Sequence, residues 1–239
     1  MKDCFSILAS SRKTPYGQSA ALGPRIVLFT VLVYLAGSPA FAASMQETLS
    51  DCADIVQNFS RIPERSIPPL VIQSAKGIAI FRVLKGGFFV SGRIGEGVVI
   101  ARLPEGGWSG PSAIGTGGAG FGFQVGGQVT EFVIILNTQA AVKAFARGGN
   151  LEFGGALSVA AGPVGRVAEA GILPVAAVYT YSRSMGLFAG ASLEGTILIA
   201  QSAKNARYYG GPVTPEEILS GRVPPPQSAS QLVATLGQY

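Results

Sequence analysis

Short apolar runs, many with every second residue apolar, fill the centre of the chain, and glycines cut them apart. Between Ala75 and Asn137 the runs are Ile78–Leu84, Phe88–Ile94, Val98–Leu103, Phe121–Val125 and Phe132–Leu136. Each has the length of a strand, and the alternation fits a half-buried one. Gly86-Gly87, Gly95-Glu96 and Glu105-Gly106-Gly107 fall between runs, where tight turns need residues that tolerate positive φ. The pattern predicts an antiparallel sheet built of hairpins. A second group of strands is predicted over Leu151–Ala160, Ala176–Ser182, Leu187–Ala191 and Gly195–Ala200.

Helical periods flank the sheet. Met45, Leu49, Cys52, Val56 and Phe59 lie along one face of a helix over Ser44–Ser60. Its other positions hold Glu47, Asp51 and Asp54, and only Arg61 stands at its end. A membrane-surface helix usually carries Lys or Arg on its polar face, so this acidic helix is expected to pack on the sheet. Shorter helices are predicted at Pro69–Lys76, at Thr138–Arg147 with Thr138 as N-cap and Gly148-Gly149 as stop, and at Lys204–Tyr209. Thr214–Ser220 opens with the start signal Thr214-Pro215-Glu216-Glu217, and Ser228–Leu236 closes the chain after the stiff Pro224-Pro225-Pro226. The expected fold is α+β: a curved antiparallel β-sheet or partly closed barrel of about 8–9 strands with flanking short helices.

Composition agrees with one packed domain. The chain is 48% hydrophobic and 13% charged, so it can bury a sizeable core. Arg25 precedes the apolar run Ile26–Leu35, and Ala40-Phe41-Ala42 follows as an A-x-A cleavage pattern. That run is too short to cross a bilayer, which takes about 20 residues. Residues 1–42 are therefore expected to be a signal peptide, cleaved near Ala42-Ala43, with a periplasmic or secreted product. An N-terminal sequence beginning near Ala43 would exclude the cytosolic alternative. Leu35-Ala36-Gly37-Ser38 nearly matches a lipoprotein box, but serine stands where a lipid-accepting thiol is needed.

The formal charge of +5 shrinks with that segment, because Lys2, Arg12, Lys13 and Arg25 lie in it against Asp3 alone. Fourteen basic and twelve acidic residues remain, a charge of +2, and nucleic-acid binding loses its simplest support. There is no histidine, which removes Ser-His-Asp and Cys-His systems and histidine metal sites. Asp51 and Asp54 are the only aspartates after residue 43. Cys52 would be the sole cysteine left after cleavage, and it reads as a small apolar residue on the helix face. Gly115–Gly120 matches G-x-G-x-x-G, yet Phe121, Phe123 and Val125 continue it as a strand, whereas a pyrophosphate site needs a helix there. The sequence thus points away from an enzyme and names no metal or cofactor.

If an anionic group is bound, cations must hold it. The densest set is Arg61, Arg65, Lys76, Arg82, Lys85, Arg93 and Arg102, with Glu64 and Glu96 the only acids in that span. A hairpin turning at Gly95-Glu96 would put Arg93 and Arg102 on one face. The plain alternative is a row of solvated edge charges that discourages strand pairing. Trp108 is expected to cap the core.

Gly110–Gly118 (GPSAIGTGG), Arg147–Leu151 (RGGNL), Ser158–Arg166 (SVAAGPVGR), Tyr181–Gly195 (YSRSMGLFAGASLEG) and Ile218–Pro226 (ILSGRVPPP) together carry a family likeness. In this order they resemble the SYLF domain family, a lipid-binding or actin-regulator domain. The resemblance places the domain at 62–227, between an N-terminal amphipathic helix (43–61) and a short C-terminal helix (228–239). It implies a non-enzymatic domain that binds phosphoinositides and other anionic phospholipid surfaces reversibly, the seven cations being the candidate contacts. Eukaryotic relatives also bind actin filaments in some cases and carry an SH3 or FYVE module. This chain has no room for an SH3 domain and lacks the FYVE cysteines. An export signal would keep it from actin, so actin is expected as a partner only if the chain stays cytosolic. A structural or protein-interaction module of the cell envelope is the competing expectation.

Overall fold

The strand that starts at Gly77 runs through the intervening glycines to Ala101. The computed structural model describes residues 43–61, 66–147, 151–152, 159–161, 176–189 and 197–239. Within residues 43–239, one compact unit, β1 (Gly77–Ala101) and β2 (Ser112–Leu136) are each 25 residues long. They pair antiparallel along almost their whole length, from Gly77 opposite Leu136 to Val99 opposite Ser112. The turns expected at Gly86-Gly87 and Gly95-Glu96 do not form. These glycines lie inside β1, opposite Gly127-Gly126 and Thr116-Gly115, and none has positive φ. The reversal comes only after Ala101, where Gly106 (φ 96°) and Gly107 (φ 77°) take the left-handed conformation.

Five predicted central strands therefore merge into two. The remaining strands are β3 (Leu151–Glu152), β4 (Val159–Ala161), β5 (Val178–Ala189) and β6 (Ile197–Ala200), six among the described residues where about eight or nine were expected. The sheet is open, not a closed barrel. Its order is β3-β6-β2-β5-β4, with β1 on the other edge of β2. Every pairing is antiparallel except β4 with β5.

A strand this long must bend. The register slips between Phe88 and Val90, where four positions of β2 pass for two of β1, so β2 bulges. β1 also doubles back on itself. The Arg102 amide donates to the Lys76 carbonyl at 2.9 Å. A Cβ on Gly97 would stand 2.1 Å from the Ile80 carbonyl oxygen and 2.3 Å from Phe81 Cβ, so only glycine fits that crossing.

Helices cover both faces of the sheet rather than its ends. On one face Ile78, Ile80, Val98, Ile100, Val133 and Ile135 meet α1 (Met45–Ser60), α2 (Pro69–Ser74) and α6 (Ser230–Leu236, entered by a 3₁₀ turn). On the other, Phe81, Val99, Ile134, Leu136 and Val178 meet Ala141, Val142 and Phe145 of α3 (Gln139–Ala146) and Leu219 of α5 (Pro215–Leu219). The period-two alternation divides one strand between two cores. All six predicted helices form, α4 being Ser202–Tyr209. Ser44 and Glu47 close a capping box on α1, and Thr214 and Glu217 close another on α5. These bonds hold both glutamates below the usual carboxylate range.

Cys52 is buried against the Ile80 carbonyl (3.4 Å), and burial pushes its thiol up to about 12. It stays protonated and inert near neutral pH, as a packing residue should. Trp108 is buried in the α1-side core, as the sequence led one to expect. The expected signal segment 1–42, the Gly148-Gly149 stop and Arg166 lie outside the described residues.

Candidate functional site

Ion pairs mark where α1 stops covering the sheet. Cross-strand register sets Arg82, Glu131 and Arg183 in one row of β1, β2 and β5. Glu131 is 1% exposed and meets Arg82 Nη2 at 3.3 Å. Arg82 Nη1 reaches Asp51 of α1 at 3.0 Å. Nearby, Lys204 of α4 is buried and donates to Glu96 Oε2 (2.7 Å) and to Thr48 Oγ1 of α1 (2.8 Å). Both clusters clamp α1 to the sheet, so the helix's acidity serves its packing. Asn205 completes the frame: its Oδ1 accepts from the Ala113 amide at 2.7 Å, and its Nδ2 donates to Ser112 Oγ at 3.1 Å.

The seven cations read from the sequence scatter over this frame. Arg61 is the exposed C-cap of α1, and Lys76 is exposed at the entry to β1. Arg65 lies outside the described residues. Arg82 is engaged by two carboxylates. Arg102 lies over the Trp108 ring at 3.9 Å and donates to the Ile72 carbonyl at 3.1 Å. Burial draws its guanidinium below the usual range. Lys85 and Arg93 are half-buried farther along β1, and the Arg93 guanidinium runs across Gly118 of β2. The shared face expected for Arg93 and Arg102 does not exist. Without a turn at Gly95-Glu96, Arg93 lies inside β1 and Arg102 just past its end, nine positions on and so of opposite parity.

Beyond the Arg82 row the three strands continue. Its next row on the same face is Leu84, Val129 and Met185, and Phe88 faces Val125 four positions on. Leu84, Phe88, Val125 and Met185 are all exposed, Phe88 to 65%. Sequence reasoning missed this apolar end because it depends on register between strands far apart in the chain. One signal was readable. Beyond the Arg82 row, residues 83–95, 117–130 and 184–189 contain Lys85 and Arg93 and no acid.

A separate open cleft of about 390 Å³ lies between α3 and α5, lined by Val142, Lys143, Arg147, Glu216, Leu219 and Ser220. Among the described residues no group of three or more His, Cys, Asp or Glu is placed to hold a metal ion. No helix among them is long and apolar enough to cross a membrane.

The family model Ysc84, described as "Las17-binding protein actin regulator", matches residues 117–239, just over half of the chain. The chain belongs to this family, the SYLF domain family. Human SH3 domain-containing YSC84-like protein 1 is 45% identical over 204 residues, covering 82% of this chain and 60% of the relative. LAS seventeen-binding protein 3 of Saccharomyces cerevisiae is 50% identical over 177 residues, covering 72% and 39% respectively. The corresponding Xenopus laevis YSC84-like protein is 48% identical over 195 residues, covering 78% and 58%. This SYLF chain thus spans only 39–60% of the length of these relatives. No solved structure matches it.

Proposed function

We propose that this SYLF domain is a non-enzymatic module that docks reversibly on anionic phospholipid surfaces, phosphoinositide-like headgroups among them, in the periplasm or outside the cell. The observation that carries the reading is charge segregation. Beyond the Arg82–Glu131 row, residues 83–95 of β1 and 117–130 of β2 contain Lys85 and Arg93 and no acid, whereas Asp51, Glu96 and Glu131 form ion pairs within the packed body. Each cation near an anionic leaflet contributes about 1 kcal/mol, so a few give weak, reversible attachment. Of the seven cations expected from sequence, Lys85 and Arg93 fit this role best.

The test is flotation with vesicles that contain or lack phosphatidylserine. Salt is raised from about 0.1 M to about 1 M, which shortens the screening length from roughly 10 to 3 Å. The protein is expected to float with the anionic vesicles at low salt and to be released as salt rises. Failure to float at low salt overturns the reading.

The relatives' names favour a second reading, a protein partner in actin regulation. Actin itself enters only if residues 1–42 are retained and the chain stays cytosolic. A specific partner held at high salt would support this reading, and purely salt-labile capture would count against it.

A further inference from the structure

We infer that the cleft between α3 and α5 is a docking groove for an extended peptide in which acidic and apolar residues alternate. The inference is independent of the anionic-surface reading, whose cations Lys85 and Arg93 lie on β1.

The groove is built before any ligand arrives. Its volume of about 390 Å³ is that of an ordinary binding pocket. Both walls are anchored in one core: Val142 and Phe145 of α3 and Leu219 of α5 are each 5% exposed and belong to the same apolar cluster. Each helix is also fixed at its start. Thr138 Oγ1 accepts from the Ala141 amide at 3.1 Å, and Thr214 and Glu217 close the capping box of α5. Between the walls, Val142, Ala146 and Leu219 supply apolar lining.

Charge distinguishes the two walls. On α3, Lys143 and Arg147 are exposed, and neither side chain meets a carboxylate among the described residues. On α5, the acid Glu216 is already answered. Its Oε1 stands 3.8 Å from Arg222 Nη2, and Arg222 Nε donates to Ser220 Oγ at 3.1 Å. Glu217 is taken up by the cap, where it accepts from the Thr214 amide at 2.9 Å. The α3 wall therefore keeps two positive charges for a ligand to neutralise, beside apolar surface for the ligand to cover.

Spacing selects the form of that ligand. Gln139, Lys143 and Arg147 line the α3 wall at four-residue steps, which are about 6 Å along a helix axis. Alternate side chains of an extended peptide stand about 6.7 Å apart on one side of its backbone. Two acids with one residue between them thus reach Lys143 and Arg147 together. The residue between turns the other way, to the side that holds Leu219. Gln139 ends the row with an amide that both donates and accepts, as a peptide backbone requires. A flat bilayer would meet the rim cations and leave the apolar lining unfilled.

The experiment follows the fluorescence anisotropy of a short dye-labelled peptide of alternating glutamate and leucine as the full chain is added. A peptide of alternating glutamate and serine, equal in charge, is expected to bind at least about tenfold more weakly, because it has no apolar side chains to bury. Lys143→Glu and Arg147→Glu should each weaken the leucine peptide by about tenfold or more, since they set like charges together, and should keep the parent circular dichroism spectrum. Ala146→Leu fills the groove without changing its charge and should weaken binding as well. Glu216→Gln should bind no more weakly than the parent. Equal affinity for the two acidic peptides, or full binding by Ala146→Leu, would reduce the groove to a charged surface and overturn the inference. Absence of binding by the parent would overturn it outright. So would variants at Lys143 and Arg147 that lose flotation on phosphatidylserine vesicles while the peptide binds them undiminished.

Discussion

Gly97→Ala is expected to destabilise the protein by about 3 kcal/mol or more, the upper range for forcing extra volume into a packed site. The added methyl group would point at the Ile80 carbonyl oxygen and Phe81 Cβ, 2.1 and 2.3 Å away. Both belong to β1 itself, so neither moves aside as a flexible side chain does. Relief requires separating the two halves of β1, and with them both cores. Gly92→Ala in the same strand is the control, because its Cβ would meet nothing within 4 Å. Urea denaturation followed by circular dichroism separates the two. The large loss should appear at Gly97 alone, and equal midpoints for the two variants would contradict the doubled-back strand.

Arg82→Ala should cost about 3–5 kcal/mol, the range seen when one partner of a buried pair is removed. Glu131, 1% exposed, would be left with its charge buried and its donor gone. The loss belongs mostly to that stranded carboxylate. Arg82→Ala combined with Glu131→Leu should therefore recover a large part of it, as coupled neighbours do in a double-mutant cycle. Asp51→Ala should cost no more than about 1 kcal/mol, since that side chain is 49% exposed and its pairing is screened by water. Additive losses for the Arg82 and Glu131 substitutions would show that the two do not act as a pair.

The residues that declared themselves in the sequence are those whose neighbours are local. Ser44 with Glu47 and Thr214 with Glu217 announce helix starts, because each pair is three positions apart and the bonds close within one turn. The burial of Cys52 and the packing of α1 followed from its 4-3-4-3 period and acidic outer face. The hairpins failed where glycine carried two meanings. Gly86, Gly87 and Gly95 read as turns but serve as bend and crossing points inside one strand. Nothing local separates these uses, since the deciding contacts lie across the sheet or at the far end of the same strand.

The candidate site follows the same logic. Lys85 and Arg93 were visible as cations in an acid-poor stretch. That Arg82 is neutralised and Arg102 is stacked on Trp108 depends on Glu131 and on the end of β1, both set by register. Lys204 gave no sign of burial, because its partners Glu96 and Thr48 are 108 and 156 positions away. The exposed apolar cluster of Leu84, Phe88, Val125 and Met185 was hidden for the same reason.

Hydrogen exchange of the protein with and without anionic vesicles tests the central claim most directly. The account predicts slowed exchange confined to residues 83–95, 117–130 and 182–189, with α1 (Met45–Ser60) unchanged because it is held in the core by Asp51, Thr48 and its apolar face. Slowed exchange along α1, with the far end of the sheet unaffected, would contradict it.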